Sequence, residues 1–512
     1  MKTRSIIWII TLAVLAALAM PVRLAAQKQQ KQEASVHHYK LIDMGTLGGP
    51  GSSPVGDSRD INFSGLATAE VDTSIPDPYA PNCFQGCLVD HAITWQNGIQ
   101  TDLGALPGGN NSSIPLWIND QGTIVGFSEN GVIDPLTGFP ELSAVLWQGG
   151  RILDLGTLGG NASYAFAINN QGRVVGGALN TISDSNANGL QAFGFPVVPF
   201  SVATQIRAFF WQDGVMHDLG TLGSGNDAAA LLVNNRGQVA GVSFTDTILN
   251  ASGFPTQDPF FWENGKMVDI GTLGGTVGFP QMMNNRGQVV GITNDANEAN
   301  HAFLWDKNEG LKDLGDLPGG NNSQANWIND AGEIVGGSDA TNFFHAVLWR
   351  NGVIIDLGAV AGDVCSVAAS INSGGQIVGV SRADCNQDTH GFLSENGGPL
   401  IDLQTLIAPG SDITVTSAVD INDRGEIVAS GMLPNGDFHS VLLIPCDENH
   451  PDVAGCDYDT VDAITAAQVH PAQTAPSAAA ASFSNLSPTE RKTRIRFMMA
   501  NRNRRFGALP PK

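Results

Sequence analysis

Five histidines, His91, His301, His345, His390 and His439, share one column of a recurring His-Ala-Phe-Leu-Trp pattern, and imidazole is the side chain most often used as a general base. Ser143, Arg207 and Asp258 fill that column elsewhere. A catalytic imidazole is needed once. Recurrence with such replacements reads instead as a structural hydrogen bond, because buried polar groups must be paired. The Asp and Asn columns that accompany the histidines invite the same reading. Other chemistry is missing: the chain has no His-Glu-x-x-His, no Gly-x-Ser-x-Gly, no P-loop and no dinucleotide fingerprint. No catalytic residue and no cofactor is therefore expected, although carboxylates gathered from distant repeats keep a hydrolase or lyase open as the alternative. The cysteines form close pairs, Cys83 with Cys87, Cys365 with Cys385 and Cys446 with Cys456, which predicts three local disulfides. Cys83 and Cys87 lack the second pair of a zinc site. Turns such as Asn119-Asp120 lack the ordered oxygens of a calcium loop, so no metal is expected either.

Three patterns recur in fixed order, eight times each. Asp-Leu-Gly-Thr-Leu or a near variant starts at Asp43, Asp102, Asp154, Asp218, Asp269, Asp313, Asp356 and Asp402. Ile-Asn-x-x-Gly-x-Val-Val-Gly carries Asn62, Asn119, Asn169, Asn234, Asn284, Asn329, Asn372 and Asn422. The Trp column reads Trp95, Trp147, Trp211, Trp262, Trp305, Trp349, Ser394 and Leu443. Asn-x-x-Gly and Asn-Gly mark tight turns between short apolar runs, because Asn and Gly tolerate positive φ. Each unit then holds four short strands, nearly apolar throughout and suited to burial on both faces. The expected fold class is all-β: an eight-bladed β-propeller of four-stranded antiparallel blades, closed by pairing the lone first strand, 40–47, with the lone last one, 439–444. Closure removes the open edge that a capped solenoid, the alternative, would have to cover.

The repeats resemble those of the HAF-repeat extracellular proteins, as in His301-Ala302-Phe303-Leu304-Trp305 followed by Asp313-Leu314-Gly315. The resemblance covers about residues 41–444 and implies export and repetition rather than any particular activity.

The flanking regions divide the chain. Residues 1–26 have the basic start, apolar run and small residues of a signal peptide, and 27–39 form a polar N-terminal segment. The repeats occupy 40–446, a Cys-containing and Ala/Pro/Ser-rich linker 447–486, and a basic tail with helix-start chemistry 487–512. No later stretch is apolar enough for an integral membrane span, so the mature protein is expected outside the cell or in the periplasm, as a monomer. Residues 38–446 carry 13 Lys and Arg against 41 Asp and Glu, a net of −28, which repels nucleic acid.

Asn-to-Trp spacing is 28 to 42 residues in the first four repeats and 20 to 22 in the rest, which confines long loops to 71–90, 130–142, 180–206 and 245–257. These loops fall on one face, where a carbohydrate or protein ligand is expected to bind. Gly-Phe-Pro recurs around Phe139, Phe195 and Phe254, and again at Phe279 in an adjoining connection. These rings are either hooks onto the blade beneath or an exposed aromatic platform. Leu-Pro-Gly-Gly-Asn-Asn-Ser occurs twice, leading into Trp117 and Trp327, which are expected near the inner strands on opposite sides of the ring.

Overall fold

A computed structural model describes residues 35–468, apart from 56–58, 81–86, 109, 136–137, 185–203, 251–254, 341–342, 386–389, 409 and 452. Each repeat folds as the sequence pattern dictates. In the first, the strands Gly48–Ser53, Ala67–Pro76, Leu88–Gln96 and Ile99–Asp102 pair in order as an antiparallel meander. Five sheets of the described residues are four-stranded in this way. An eight-stranded one consists of two such meanders, joined where Gln257 meets Val277 in parallel. In the last unit the outer strand comes from the other end of the chain, because Tyr39–Asp43 pairs with Phe438–Pro445 in the register Leu41 to Leu443. No helix among the described residues is long and apolar enough to cross a membrane.

The turns explain why Asn recurs. In the third unit the Asn169 side-chain oxygen accepts the N–H groups of Gln171 and Arg173, both at 3.0 Å, while Gly172 takes φ +76°. The amide nitrogen remains. It donates to the Asn234 carbonyl of the next unit at 2.9 Å. Every repeat uses its Asn in this way: Asn62 donates to the carbonyl of Asn119, Asn119 to Asn169, Asn234 to Asn284, Asn284 to Asn329, Asn329 to Asn372 and Asn372 to Asn422. Asn422 donates to the Asn62 carbonyl at 3.0 Å, so the bonds return to their start. Asn alone among the turn-forming side chains combines a short acceptor with a spare pair of donors. The second turns are of the type expected for two-residue hairpins, with φ +52° and +80° at Asn264 and Gly265.

The apolar columns build the core. Ala92, Ala208, Ala302 and Ala346, with Phe209, Phe260, Phe303 and Phe392, are fully buried. The glycine that ends Val-Val-Gly makes room for them: a Cβ at Gly176 would overlap both the Tyr164 carbonyl oxygen and the Phe209 ring. That carbonyl lies where the register shifts between Ala165 and Ala167.

Packing continues past the repeats at both ends. Ser35–His37 pairs with Thr460–Asp462, setting Val36 opposite Val461. The short helix Ala463–Ala467, capped by Asp462, packs Ala463 and Ala466 into a cluster with Val36, Tyr39, Leu403 and Leu406. Residues assigned from sequence to a polar leader and a linker therefore cover apolar surface. Disulfides join Cys365 to Cys385 and Cys446 to Cys456. Cys87 is disulfide-bonded too, and Cys83 lies outside the described residues.

Candidate functional site

Most side chains of the polar columns are engaged in holding the fold; His301 is an exception, its buried Nδ1 3.4 Å from Asp313 without a hydrogen bond. His91, His345 and His439 each place Nδ1 2.9 Å from the Asp of their unit's outer strand, Asp102, Asp356 and Asp43. Arg207 reaches Asp218 at 3.0 Å in place of a histidine, and His390 turns to Asp363 at 2.8 Å. Asp102, Asp356, Asp43 and Asp218 also cap their own turns, as Asp102 does by accepting the Gly104 N–H at 2.7 Å. The His91 contact and the Gly104 N–H outweigh burial and hold the Asp102 carboxyl below its usual range. A serine column escaped the sequence reading. Ser113, Ser323 and Ser366 accept the N–H of Ala92, Ala302 and Ala346 in the preceding unit, at 3.1, 3.0 and 2.8 Å. The signal was present, since each serine stands six residues before its Asn.

Because the Asn-bearing turns gather at one end of the sheets, the long loops emerge at the other. That end carries exposed aliphatic side chains: Val132 and Ile133 on the second unit, Ile182 on the third, and Ile248 (75% exposed) with Leu249 on the fourth. Ile75 on the first unit is 39% exposed. Ile248 and Leu249 are loop-borne, and the others stand in the last residues of the strands that lead into the long loops; all are uncharged, unlike the ordinary polar surface. Periodicity did not single them out, because the strand ends and loops that carry them lie outside the repeated patterns.

The aromatic candidates separate. Phe139 is half-buried, its carbonyl accepting the Asp134 N–H at 2.9 Å. Phe195 and Phe254 lie outside the described residues. Phe279 is in the strand Gly274–Met283, 7% exposed, and belongs to the core rather than to a platform, because the chain has already entered the sheet when it reaches Gly278. Trp117 and Trp327 are half-buried on Ser113–Ile118 and Ser323–Ile328, and pack against the cluster that contains Phe279. The shared Gly-Gly-Asn-Asn motif has a structural use: in the sixth unit the Asn321 and Asn322 N–H groups, at 2.8 and 2.7 Å, wrap the Asp339 carboxylate. In the second unit Glu129 takes that role, accepting the Ser112 N–H at 2.7 Å.

Beneath the long loops lie carboxyl groups with no basic partner shown. Asp77, Asp90 and Glu129 are 4%, 1% and 0% exposed, and each has one buried oxygen without a hydrogen-bond partner. Burial, with Asp77 adding to it, pushes Glu129 up to about 8 against the opposing Ser112 N–H. Burial and the neighbouring Glu70, Asp72 and Asp77 push Asp90 up as well. Among the described residues no three His, Cys, Asp or Glu side chains gather as a metal-ligand set. At the opposite end a polar cavity of about 200 Å³ lies between Tyr39, Gln376, Glu395 and Asp447, smaller than the roughly 300–1,000 Å³ of ordinary ligand pockets.

No family model matches the chain, and neither does any curated protein. Solved structures similar to it include the β-propeller domain of the Trilobed protease from Pyrococcus furiosus, at 8% identity over 83% of this chain and 95% of that one, with a TM-score of 0.38. Porphyromonas gingivalis dipeptidyl peptidase 4 gives 9% identity, 78% and 58% coverage and a TM-score of 0.41. The chain spans 56% of Pyrococcus horikoshii acylaminoacyl peptidase, at 8% identity over 73% of its own length and a TM-score of 0.38. At such values the pairing of the strands, rather than the likeness, carries the description of the fold.

Proposed function

We propose that the chain is an exported binding scaffold: an eight-bladed propeller of the HAF-repeat kind, closed by its first and last repeat strands, that takes a carbohydrate or protein ligand on the face bearing the long loops. The circle of Asn bonds supports the blade count and the closure. The disulfides favour an oxidising compartment. One contrast carries the binding reading. Most recurrent His, Asp and Asn side chains are occupied in structural bonds, whereas the end that bears the long loops presents Ile182, Ile248 and Leu249, exposed and outside every repeated column. Screening glycans and candidate proteins by thermal shift, followed by product analysis, tests this. Saturable binding without product supports the scaffold; turnover abolished by changing one Asp, Glu or His would make it an enzyme.

A further inference from the structure

Glu333 and Glu426 occupy one column, four residues after Asn329 and Asn422, and each accepts the side-chain N–H of its Asn, at 2.9 and 2.6 Å. A buried carboxylate needs a counter-charge. Glu333 has Arg350, whose Nε lies 2.6 Å away. Glu426, only 5% exposed, has His450 with Nε2 at 3.3 Å and, farther off, Arg424 at 3.7 Å. The nearer counter-charge is thus permanent in one unit and titratable in the other.

His450 is 4% exposed, and its second nitrogen, Nδ1, lies 2.7 Å from Asp447. A neutral imidazole has one N–H, so the hydrogen bond to Asp447 and the 3.3 Å approach to Glu426, an ion pair not aligned as a hydrogen bond, both favour the imidazolium form. The loop that presents it is held by the Cys446–Cys456 disulfide and by Tyr458, whose hydroxyl donates to the His450 carbonyl at 3.1 Å. On its other side Glu426 lies against the first repeat: a Cβ at Gly65 would stand 2.7 Å from both carboxylate oxygens. The Asn that Glu426 holds, Asn422, is the one that reaches Asn62. His450, Glu426, Asn422 and Asn62 therefore form one continuous line across the contact between the two ends of the repeat array.

We propose that His450 is a proton-operated latch, which as imidazolium fastens the C-terminal loop 446–456 to the contact between the last and first repeats and loosens that contact when it loses its proton. The charged and titratable groups around it are Asp447, Glu426, Arg424 and Asp423, with Tyr39, Glu395 and His37 across the adjoining cavity and Asp457 beside His38. Burial opposes the imidazolium, but Glu426 and Asp447 outweigh it and raise His450 above 6.5. A raised folded-state value means that the latch's contribution is complete below about 6.5 and is lost as pH rises through the folded value.

Amide-exchange protection factors of the full chain test this. Between about pH 6 and about pH 8, protection in the turn 62–66 and the strand Tyr39–Asp43 should fall, by about tenfold for each unit by which His450 is displaced. His450→Gln should show the low protection at both values. Glu426→Gln keeps an oxygen for Asn422 and removes the charge, so the His450 proton resonance should titrate closer to 6.5. Unchanged wild-type protection, a His450→Gln chain that keeps the wild-type pH response, or a titration unmoved by Glu426→Gln would each overturn the proposal. If His450→Gln does not fold, the titration decides.

Discussion

Asn422 donates its side-chain amide to the carbonyl of Asn62 at 3.0 Å, across 360 positions of sequence. The contact has the geometry of the Asn284 bond to Asn329, at 3.2 Å between neighbouring repeats. If the last repeat meets the first as any repeat meets the next, Asn422→Ala should cost at least as much as Asn284→Ala, since it also takes a donor from the buried Glu426 where Asn284→Ala takes one from Gln288. Each removes a turn acceptor and leaves a buried carbonyl without its donor, a loss of about 2–3 kcal/mol. Urea unfolding measures it, and a much smaller cost for Asn422→Ala would show that the array is not closed.

Gly65 tests the same contact sterically. It takes φ +77° with the Glu426 carboxylate against it, whereas Gly98 takes φ +80° with nothing within 4 Å. Both alanine variants incur backbone strain, about 1 kcal/mol. Only Gly65→Ala also displaces Glu426, so it should lower the melting temperature clearly further than Gly98→Ala.

The carboxyl groups under the long loops predict a pH dependence of opposite origin to an ordinary salt bridge. Glu129 stays protonated in the folded state up to about 8, while in the unfolded chain it ionises near 4.5. Its contribution is therefore complete below about 4.5 and is lost as pH rises to 8. Glu129→Gln keeps an acceptor for the Ser112 N–H and cannot ionise. The variant should match wild type in acid and exceed it in melting temperature at pH 8; equal melting temperatures at pH 8 would place Glu129 in contact with water or a cation.

Much of this was legible in the sequence, for a physical reason. A repeat that stacks on copies of itself must satisfy the same polar groups each time, so Asn169, Asp102 and His91 appear as columns. What each column bonds to was not legible, because the Asn169 amide finds its acceptor 65 residues away, at Asn234. Phe279 shares Gly-Phe-Pro with Phe139, yet it is a core residue, because the motif falls inside a strand there and on a loop at Phe139. The pairing of Ser35–His37 with Thr460–Asp462 left no pattern, since three-residue strands are too short to show alternation.

The loop-bearing end carries the functional prediction. Ile182 and Ile248 are 57% and 75% exposed on neighbouring units, so a charge there meets water rather than core. Surface changes of this kind usually stay within about 0.5 kcal/mol of wild-type stability, whereas truncating an anchor in a binding interface costs about 2 kcal/mol or more. Ile182→Asp and Ile248→Asp should therefore leave the melting temperature nearly unchanged and weaken ligand binding at least tenfold, measured by titration calorimetry with whichever glycan or protein the screen returns. Phe139→Ala is the informative companion, because its half-buried ring is placed to serve either as a hook or as a contact. Loss of affinity at unchanged stability makes it a contact. If instead all three variants bind normally, the ligand does not use the long loops, and the opposite end, with its polar cavity beside Tyr39 and Glu395, becomes the surface to vary.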